Sequence, residues 1–378
     1  VALVAGEDVE FASLEAESRL YPFVYVNNTG QYGTAVNYEQ GQILAEAGLA
    51  GLYGRVVRQE GLIRCVTAIS NNGRIELHAS ERVVTGGDSR TITPITKDTE
   101  RVHKSFQISD GEIHLGGLDE KVEIANAVRN RTTPTEVIEH GGEITSPSGI
   151  VTLEADQRVY LAQESSVDVV GLWVDKNSAA VSAQLNSVEL KNDYGQADGM
   201  LQGETVDVNP YEGSAIGDIS GALNFEFLTA AEMSTEGGTV TLRAPSGDII
   251  VRDGAEIDFS GGGSFNAGGI IETTRLLTAS GQVYDIAEAP QWVSYERVLN
   301  EHNVLHERYG INRTFNGLYA GGAVPLKNYM HNHLQGDDAG MLFLEAKGIV
   351  LDGNIYGWAT RGIFQTDNIV EEVTYDNF

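Results

Sequence analysis

Residues 149–155 read Gly-Ile-Val-Thr-Leu-Glu-Ala, and this heptapeptide decides the fold class. Its pattern is glycine, any residue, an aliphatic residue, any residue, leucine, any residue and alanine. Three more copies, Gly-Arg-Ile-Glu-Leu-His-Ala, Gly-Thr-Val-Thr-Leu-Arg-Ala and Gly-Met-Leu-Phe-Leu-Glu-Ala, occupy residues 73–79, 238–244 and 340–346. Apolar residues at every second position are typical of a half-buried β-strand. Each copy therefore predicts a strand that is entered through a glycine turn.

A second short apolar run follows each heptapeptide, and we expect it to form a second strand beyond a corner. These runs lie at 82–84, 158–161, 248–251 and 348–351. Weaker versions of the pattern occur at 41–45, 54–57, 111–115 and 206–208. The strong copies begin 76, 89 and 102 residues apart, which is too far for one turn of a repeat. Each interval is therefore predicted to hold several turns together with inserted loops.

The chain is accordingly predicted to be all-β, a coil that repeats loosely along one continuous segment, 1–378. Four stretches poor in alternation are predicted to be excursions from the coil, at 88–106, 119–148, 193–236 and 287–318. The one fair helix candidate is 291–309, where apolar residues recur at steps of three and four. We interpret it as a short helix or a long loop.

Charge and composition exclude several function classes. The 378 residues include 25 Lys and Arg against 54 Asp and Glu, a formal charge of −29, which repels nucleic acids and anionic membrane surfaces. The single cysteine, Cys65, excludes an intrachain disulfide or a thiolate metal cluster. No apolar run approaches the roughly 20 residues of a membrane span, so membrane insertion is not expected. The chain starts at Val1 without methionine, and we interpret it as a piece of a longer protein.

The heptapeptide strands resemble the β-helix coils of the filamentous haemagglutinin family, which are large secreted proteins of Gram-negative bacteria. The runs 254–262 with 267–269, and 336–353, resemble two further recurrent stretches of that family. The resemblance implies a right-handed parallel β-helix, a solenoid with loop or short-helix excursions. It also implies export of the parent protein through a dedicated outer-membrane pore (two-partner secretion) and a cell-surface location as an adhesin or fibre. The family's amino-terminal secretion domain is not recognisable in this chain.

The expected function is structural or adhesive rather than catalytic, and no catalytic residue or cofactor is predicted. The expected partners are glycans or proteins on host or neighbouring cells. A coil cut from a longer solenoid exposes raw strand edges at its ends, so end-to-end self-association is also expected. The alternative is a carbohydrate-active β-helix enzyme, either a polysaccharide lyase or a glycoside hydrolase, because that scaffold hosts both classes.

The best local constellation for such an enzyme is Asp337 and Asp338 with His331 and His333 just upstream. Two carboxylates with a nearby base are what glycoside hydrolysis requires. Adjacent residues of a strand point to opposite faces, however, and the Arg-Ile-Lys element of pectin hydrolases is absent. We therefore favour a structural turn at this position.

Metal binding is left open by the sequence. His302 and His306 would share one face if 291–309 were helical, but no glutamate follows the first histidine as in a zinc protease, so surface histidines are favoured. The acidic loops 193–207 and 336–338 could hold Ca²⁺ through carboxylate oxygens, although neither matches a known calcium-loop spacing.

Two further groups have both a functional and a structural interpretation. The glycine runs 261–263 and 268–269 do not continue into a phosphate-binding motif, and we interpret them as coil corners. An amino-terminal aromatic group could stack on sugars, although inward packing is favoured. Its members are Tyr21, Phe23, Tyr25, Tyr32 and Tyr38.

Overall fold

A computed structural model describes most of the chain. The described residues are 1–5, 8–13, 20–25, 33–46, 48–68, 73–97, 100–103, 111–116, 118–124, 127–133, 135–176, 206–209, 211–217, 227–299, 301–306, 309, 311–316 and 326–365. Within 8–13, 20–25, 118–124, 127–133, 301–306, 311–316 and 326–328, and at 272, the structure describes the backbone alone.

The chain is all-β, as predicted, and its largest element is a nine-stranded parallel sheet, here called the long sheet. Seven of its strands follow one another across the sheet, and two shorter strands, Thr34–Asn37 and Thr135–His140, lie beside the second halves of their neighbours. In sheet order the seven are Ala2–Val4, Gly48–Gln59, Gly73–Thr85, Glu112–Gly116, Ile150–Leu161, Thr239–Val251 and Met341–Leu351.

A second parallel sheet, here called the short sheet, contains seven strands of three or four residues. In chain order they are Gln42–Ala45, Leu62–Cys65, Arg90–Ile92, Glu143–Thr145, Ser166–Asp168, Glu256–Asp258 and Asn354–Tyr356. Each of them follows a strand of the long sheet in the chain. The polypeptide thus passes seven times through the same strand positions, and each passage is here called a layer.

Equivalent residues of successive heptapeptides are paired in register. Leu153 pairs with Leu115 of the layer before it and with Leu242 of the layer after it. Leu242 in turn pairs with Leu344, and Leu115 pairs with Leu77. The alternating aliphatic residues face the short sheet and form one continuous core, in which most members are completely buried. Period-two alternation is what allows one face of each strand to supply this core.

Two details differ from the sequence-based prediction. The second apolar run does not form a separate strand beyond a corner, because it continues the heptapeptide strand through a register shift, between Glu154 and Arg158 in one case. The intervals between strong copies also differ from one another. The first, 73–149, contains one additional layer with strand Glu112–Gly116. The strands beginning at Ile150, Thr239 and Met341 are direct neighbours, so each of the two longer intervals spans one layer with inserted segments and not several turns.

The insertions form small sheets whose strands pair antiparallel, except that Trp173–Lys176 pairs parallel with Gly263–Asn266. Two-stranded pairs are Asp8–Ser13 with Leu20–Tyr25, Val102–His103 with Phe227–Leu228, Leu118–Ile124 with Ala127–Thr133, Gly269–Thr273 with Leu326–Met330, and Glu301–His306 with Ile311–Asn316. Three-stranded sheets are Val283–Asp285 with Arg275–Thr278 and Tyr295–Leu299, and Trp173–Lys176 with Gly263–Asn266 and His333–Gly336.

The predicted excursions agree with these insertions in part. Strand Arg90–Ile92 lies inside predicted excursion 88–106, and strands Thr135–His140 and Glu143–Thr145 lie inside 119–148, yet all three belong to the parallel sheets. Of 193–236 the structure describes 206–209, 211–217 and 227–236. There the weak copy 206–208 is not a strand, and a single-turn helix, Ala230–Met233, begins with a capping box between Thr229 and Glu232.

The segment 291–309 is neither a helix nor a long loop. It contains strand Tyr295–Leu299, which pairs antiparallel with Arg275–Thr278, and strand Glu301–His306. Tyr295 is buried in a second apolar core with Val206, Ile216 and Leu276. Packing in this core therefore overrides the mixed spacing that resembled a helix. No helix among the described residues is long and apolar enough to cross a membrane.

Candidate functional site

The structure does not bring Asp337 and Asp338 together with the two histidines upstream. Both aspartates lie in the irregular segment after strand His333–Gly336, where they are fixed by backbone hydrogen bonds. The Asp337 N–H donates to the carbonyl oxygen of Gly262 (3.0 Å), and the carbonyl oxygen of Asp338 accepts from the Gly237 N–H (3.0 Å). In an extended strand, four residues span about 13 Å, which separates His333 from Asp337. This geometry fits a structural turn.

His333 itself is buried between aromatic rings. Its ring centroid lies 4.8 Å from those of Tyr211 and Phe364, and both rings stand nearly perpendicular to the imidazole. The His333 Nδ1 atom is 3.3 Å from the carbonyl oxygen of His331, and its Nε2 atom has no hydrogen-bond partner in the structure. Direct ring packing on both sides gives this histidine a structural role rather than access to a substrate.

The metal-ligand interpretation of His302 and His306 was wrong in its premise, because both residues lie in a strand and not in a helix. Their Cα atoms are about 13 Å apart in an extended chain, too far for one ion. Among the described residues no group of three or more His, Cys, Asp or Glu side chains is arranged to hold a metal. Loop 336–338 is included in that statement, whereas most of 193–207 lies outside the described residues.

The glycine runs and the aromatic group have plain structural positions. Gly261 and Gly262 connect two strands, and a β-carbon at Gly261 would lie 2.3 Å from the carbonyl oxygen of Asp337. Tyr21, Phe23 and Tyr25 lie in strand Leu20–Tyr25, of which the structure describes the backbone. Tyr32 lies outside the described residues, and Tyr38 is exposed.

Sequence reasoning missed the densest group of ionisable side chains, here called the Glu76 network. It lies on the face of the long sheet opposite the core and contains Tyr53, Arg74, Glu76, His78 and His114. The Tyr53 hydroxyl donates to Glu76 Oε2 (2.6 Å), and Arg74 Nε lies 2.7 Å from Glu76 Oε1. His78 Nε2 is 3.5 Å from Glu76 Oε2. The His78 ring stacks on Tyr53 and meets the edge of His114 at 5.0 Å between centroids.

The protonation states of Glu76 and Tyr53 do not suit proton transfer at neutral pH. Burial alone would raise the pKa of Glu76, but hydrogen bonds and charges from His78, Arg74 and Tyr53 outweigh it and lower the pKa to about 2. Burial and the adjacent carboxylate raise the pKa of Tyr53 well above its usual value. A general acid or base works best with a pKa near the working pH. The network therefore fixes three neighbouring strands to one another.

A register argument could have found this network. Glu76 and His78 occupy variable positions of the copy at 73–79. The weak copy at 111–115 forms the next layer and places His114 beside Glu76. Tyr53, which pairs with His78, comes directly before the weak copy at 54–57 in strand Gly48–Gln59. Without knowing which copies are direct neighbours, however, the sequence does not reveal which variable residues meet.

A second pair of carboxylates lies on the short sheet. Asp168 pairs with Asp258 in the next layer, which places their Cα atoms about 4.8 Å apart. Burial, and then the charges of Asp258 and Glu143, raise the pKa of Asp168, against a hydrogen bond from the Val170 N–H that lowers it. The Oδ1 atom of each aspartate accepts a hydrogen bond from the backbone N–H two residues later in the chain. The donors are Val170 for Asp168 and Ser260 for Asp258, both at 2.9 Å. This pair is the best acid and base arrangement among the described residues.

A third polar group is completely internal. At the end of the long strands, successive layers place Asn37, Gln59, Thr85 and His140 in one column, which continues as Leu161. Asn37 Nδ2 donates to Gln59 Oε1 (2.8 Å), and Thr85 Oγ1 lies 2.7 Å from His140 Nδ1. All four polar residues are buried, so the column supplies hydrogen bonds inside the stack and is closed to ligands.

Comparison of the chain with protein-family models, with curated proteins and with solved structures gave no match. The function is therefore inferred from the residues and geometry of this chain alone.

Proposed function

We propose that the chain is a right-handed parallel β-helix and serves as a structural and adhesive segment of a large secreted cell-surface protein. The observation that carries this proposal is the in-register pairing of equivalent residues, such as Leu115, Leu153 and Leu242, through two stacked parallel sheets. Parallel crossovers are right-handed in nearly every known case, which supports the handedness. A stack of this kind is stiff along its axis, because each layer is hydrogen-bonded to the next.

The last layer supports growth of the stack beyond one chain. Among the residues that the structure describes, strand Met341–Leu351 is the edge of the long sheet, and Leu342 and Leu344, which occupy core positions, are only partly buried. Ile349 and Val350 are exposed. An apolar parallel edge is a template for a further strand. We therefore expect end-to-end association, with another copy continuing the two sheets.

Electron microscopy of the purified protein over a concentration series tests the scaffold proposal. Seven layers at about 4.8 Å each give a body about 34 Å long along the stack, and we expect rods that are multiples of this length. Val350→Lys places a charge on the open edge and should shorten the rods, whereas Lys347→Arg on the same strand should not. Single short particles at every concentration would contradict end-to-end association.

The adhesive role requires a separate experiment. Beads coated with the protein should adhere to epithelial or bacterial cells more than beads coated with an unrelated protein of equal negative charge. Treatment of the cells with glycosidases or with protease then distinguishes glycan partners from protein partners. Equal adherence of both kinds of beads would argue against adhesion and leave a spacer role.

A carbohydrate-active enzyme is the second candidate, and the Asp168 and Asp258 pair is the observation that favours it. Two carboxylates on neighbouring strands, with Cα atoms about 4.8 Å apart and one pKa raised, resemble the close acid and nucleophile pair of a retaining glycosidase. Release of reducing sugar from a panel of neutral and uronate polysaccharides should then be lost in both Asp168→Asn and Asp258→Asn. Asp253→Asn, an exposed aspartate elsewhere, is the matched control. Absence of any product from the wild-type protein would exclude this candidate for the panel used.

A further inference from the structure

A pair of exposed aromatic rings lies on the three-stranded insertion sheet formed by Trp173–Lys176, Gly263–Asn266 and His333–Gly336. The ring centroids of Trp173 and Phe265 are 5.1 Å apart, with 38° between the ring planes. Asp175 pairs with Phe265, which pairs with Leu334 on its other side. Paired residues, and residues two apart in one strand, share a face of a sheet. Trp173, Asp175, Phe265 and Leu334 therefore form one surface, here called the aromatic face.

Two glycines give the aromatic face its flat shape. Trp173 pairs with Gly263, which pairs with Gly336 in the third strand. A β-carbon at Gly263 would lie 2.8 Å from Trp173 Cζ3 and 2.3 Å from the carbonyl oxygen of Gln335, and the Gly263 φ of 155° also favours glycine. The indole ring of Trp173 therefore packs directly on the backbone of Gly263. Close packing on Gly263 fixes the position of the indole, which remains 40% exposed.

Exposure and charge indicate what this surface binds. Trp173 is 40% exposed and Phe265 is 47% exposed, an unusual state for large aromatic residues in contact with each other. Asp175 is exposed beside them. The whole chain carries a formal charge of −29, which attracts cations and repels anions.

We propose that the aromatic face binds an arginine-bearing basic peptide segment of a partner protein. A guanidinium group stacks on an indole ring through a cation–π interaction, for which tryptophan is the best aromatic partner. Asp175, in the same surface, accepts paired hydrogen bonds from a guanidinium. The negative charge of the chain accelerates the encounter with a basic segment. Peptide binding at the aromatic face is a function separate from the scaffold role and does not depend on filament formation.

Fluorescence polarisation with labelled nine-residue peptides of alternating arginine and glycine tests this proposal. Peptides with lysine or glutamine in place of arginine are the ligand controls. Wild-type protein should bind the arginine peptide more tightly than the lysine peptide, and both more tightly than the glutamine peptide. Trp173→Ala should weaken arginine-peptide binding about tenfold and Asp175→Asn about fivefold. Trp173→Phe should retain intermediate affinity.

Two matched variants separate a specific face from general charge attraction. Trp292→Ala removes another exposed tryptophan, and Asp253→Asn removes another exposed aspartate. Both should bind the arginine peptide within twofold of wild type, and circular dichroism should be the same for all variants. Equal affinity of Trp173→Ala and Trp292→Ala would overturn the proposal and leave only diffuse attraction. Binding of neutral oligosaccharides that is lost in Trp173→Ala, with unchanged peptide binding, would assign the face to glycans and also overturn it.

Discussion

Gly238 lies so close to Gly149 of the preceding layer that a β-carbon at Gly238 would stand 2.2 Å from the carbonyl oxygen of Gly149. That carbonyl accepts a hydrogen bond from the Thr239 N–H at 2.8 Å. Gly340 repeats the relationship with Gly238, where a β-carbon would stand 1.7 Å from the carbonyl oxygen. None of these glycines has a left-handed φ. The glycine that begins each heptapeptide is therefore required by the close approach of successive layers.

Gly238→Ala should destabilise the protein by about 1–3 kcal/mol, the usual cost of forcing an extra methyl group into a packed position. The layers on either side must separate locally, because the atom that the new methyl group meets is rigid backbone. Urea unfolding followed by circular dichroism measures the change.

Gly87→Ala is the matched control for Gly238→Ala. A β-carbon at Gly87 has no neighbour closer than 3.9 Å, and the substitution should shift the unfolding midpoint little. Equal shifts for the two variants would mean that the methyl group at position 238 is accommodated, and would contradict the packing account of the motif.

Leu242 and Leu344 occupy the same column, but at different depths of the stack. Leu242 is completely buried between Leu153 and Leu344, whereas Leu344 is in the last layer and only partly buried. Leu242→Ala should cost about 2–5 kcal/mol and Leu344→Ala distinctly less, because the latter cavity opens to solvent. Urea unfolding at low protein concentration measures both. Similar losses for the two variants would indicate that the open edge is covered in solution.

The Glu76 network should contribute to stability above acidic pH. The folded-state pKa of Glu76 is about 2, below its usual value of 4.5, so its contribution is complete above pH 4.5 and is lost as the pH falls towards 2. Glu76→Gln should destabilise the protein by about 3 kcal/mol at pH 7, since it removes the carboxylate that Arg74 and His78 share and leaves Arg74 only its contact with Glu112 at 3.4 Å.

Tyr53→Phe is the control for Glu76→Gln. It removes one hydrogen bond and keeps the ring stacked on His78, so the expected loss is about 1 kcal/mol. The difference in unfolding free energy between Glu76→Gln and wild type should shrink between pH 4.5 and pH 2. A difference that is constant with pH would show that the carboxylate charge of Glu76 does not stabilise the fold.

The strands of the core were predictable because each heptapeptide carries its own period-two pattern, from Ile75 and Leu77 to Leu342 and Leu344. The order of the layers was not predictable, since the pairing of strands depends on how much of the chain between two copies forms further layers and how much forms insertions. The 89 residues from Gly149 to Gly238 are enough for several turns, yet the strands Ile150–Leu161 and Thr239–Val251 are direct neighbours, and no local pattern predicts this.

The functional groups were less predictable than the core for the same reason. Asp168 and Asp258 are 90 residues apart in sequence and meet only because their layers are neighbours. Trp173 and Phe265 are likewise brought together by an insertion sheet whose strands have no heptapeptide. Adjacent residues such as Asp337 and Asp338 were visible in the sequence, but nearness along the chain did not bring them to a common site.

His140 should make the stability of the fold depend on pH in the mildly acidic range. A carbonyl oxygen only accepts hydrogen bonds, so His140 Nε2 donates to the Ser166 carbonyl oxygen (3.0 Å) and Nδ1 accepts from the Thr85 hydroxyl (2.7 Å). This assignment holds for the neutral imidazole, which is the form present at pH 7. Burial lowers its pKa to about 4, although the hydrogen bond with Ser166 opposes the shift.

Because the folded-state pKa of His140 is below its usual value of 6.5, the stabilising contribution of this residue is complete above pH 6.5. It is lost as the pH falls from 6.5 towards 4, where the unfolded chain binds a proton that the folded chain excludes. A shift of this size corresponds to about 3 kcal/mol. Unfolding free energies from urea titrations at pH 7, 6, 5 and 4 measure the loss.

The double variant Thr85→Val with His140→Leu isolates this effect from the many carboxylates that also titrate. It removes both hydrogen-bonding partners together and places leucine next to Leu161, which occupies the same column in the next layer. The unfolding free energy of the wild type relative to this variant should therefore fall by about 3 kcal/mol between pH 7 and pH 4. Parallel pH profiles for the two proteins would mean that His140 accepts a proton without leaving its position in the column, and would contradict its assignment as a neutral, closed member of the core.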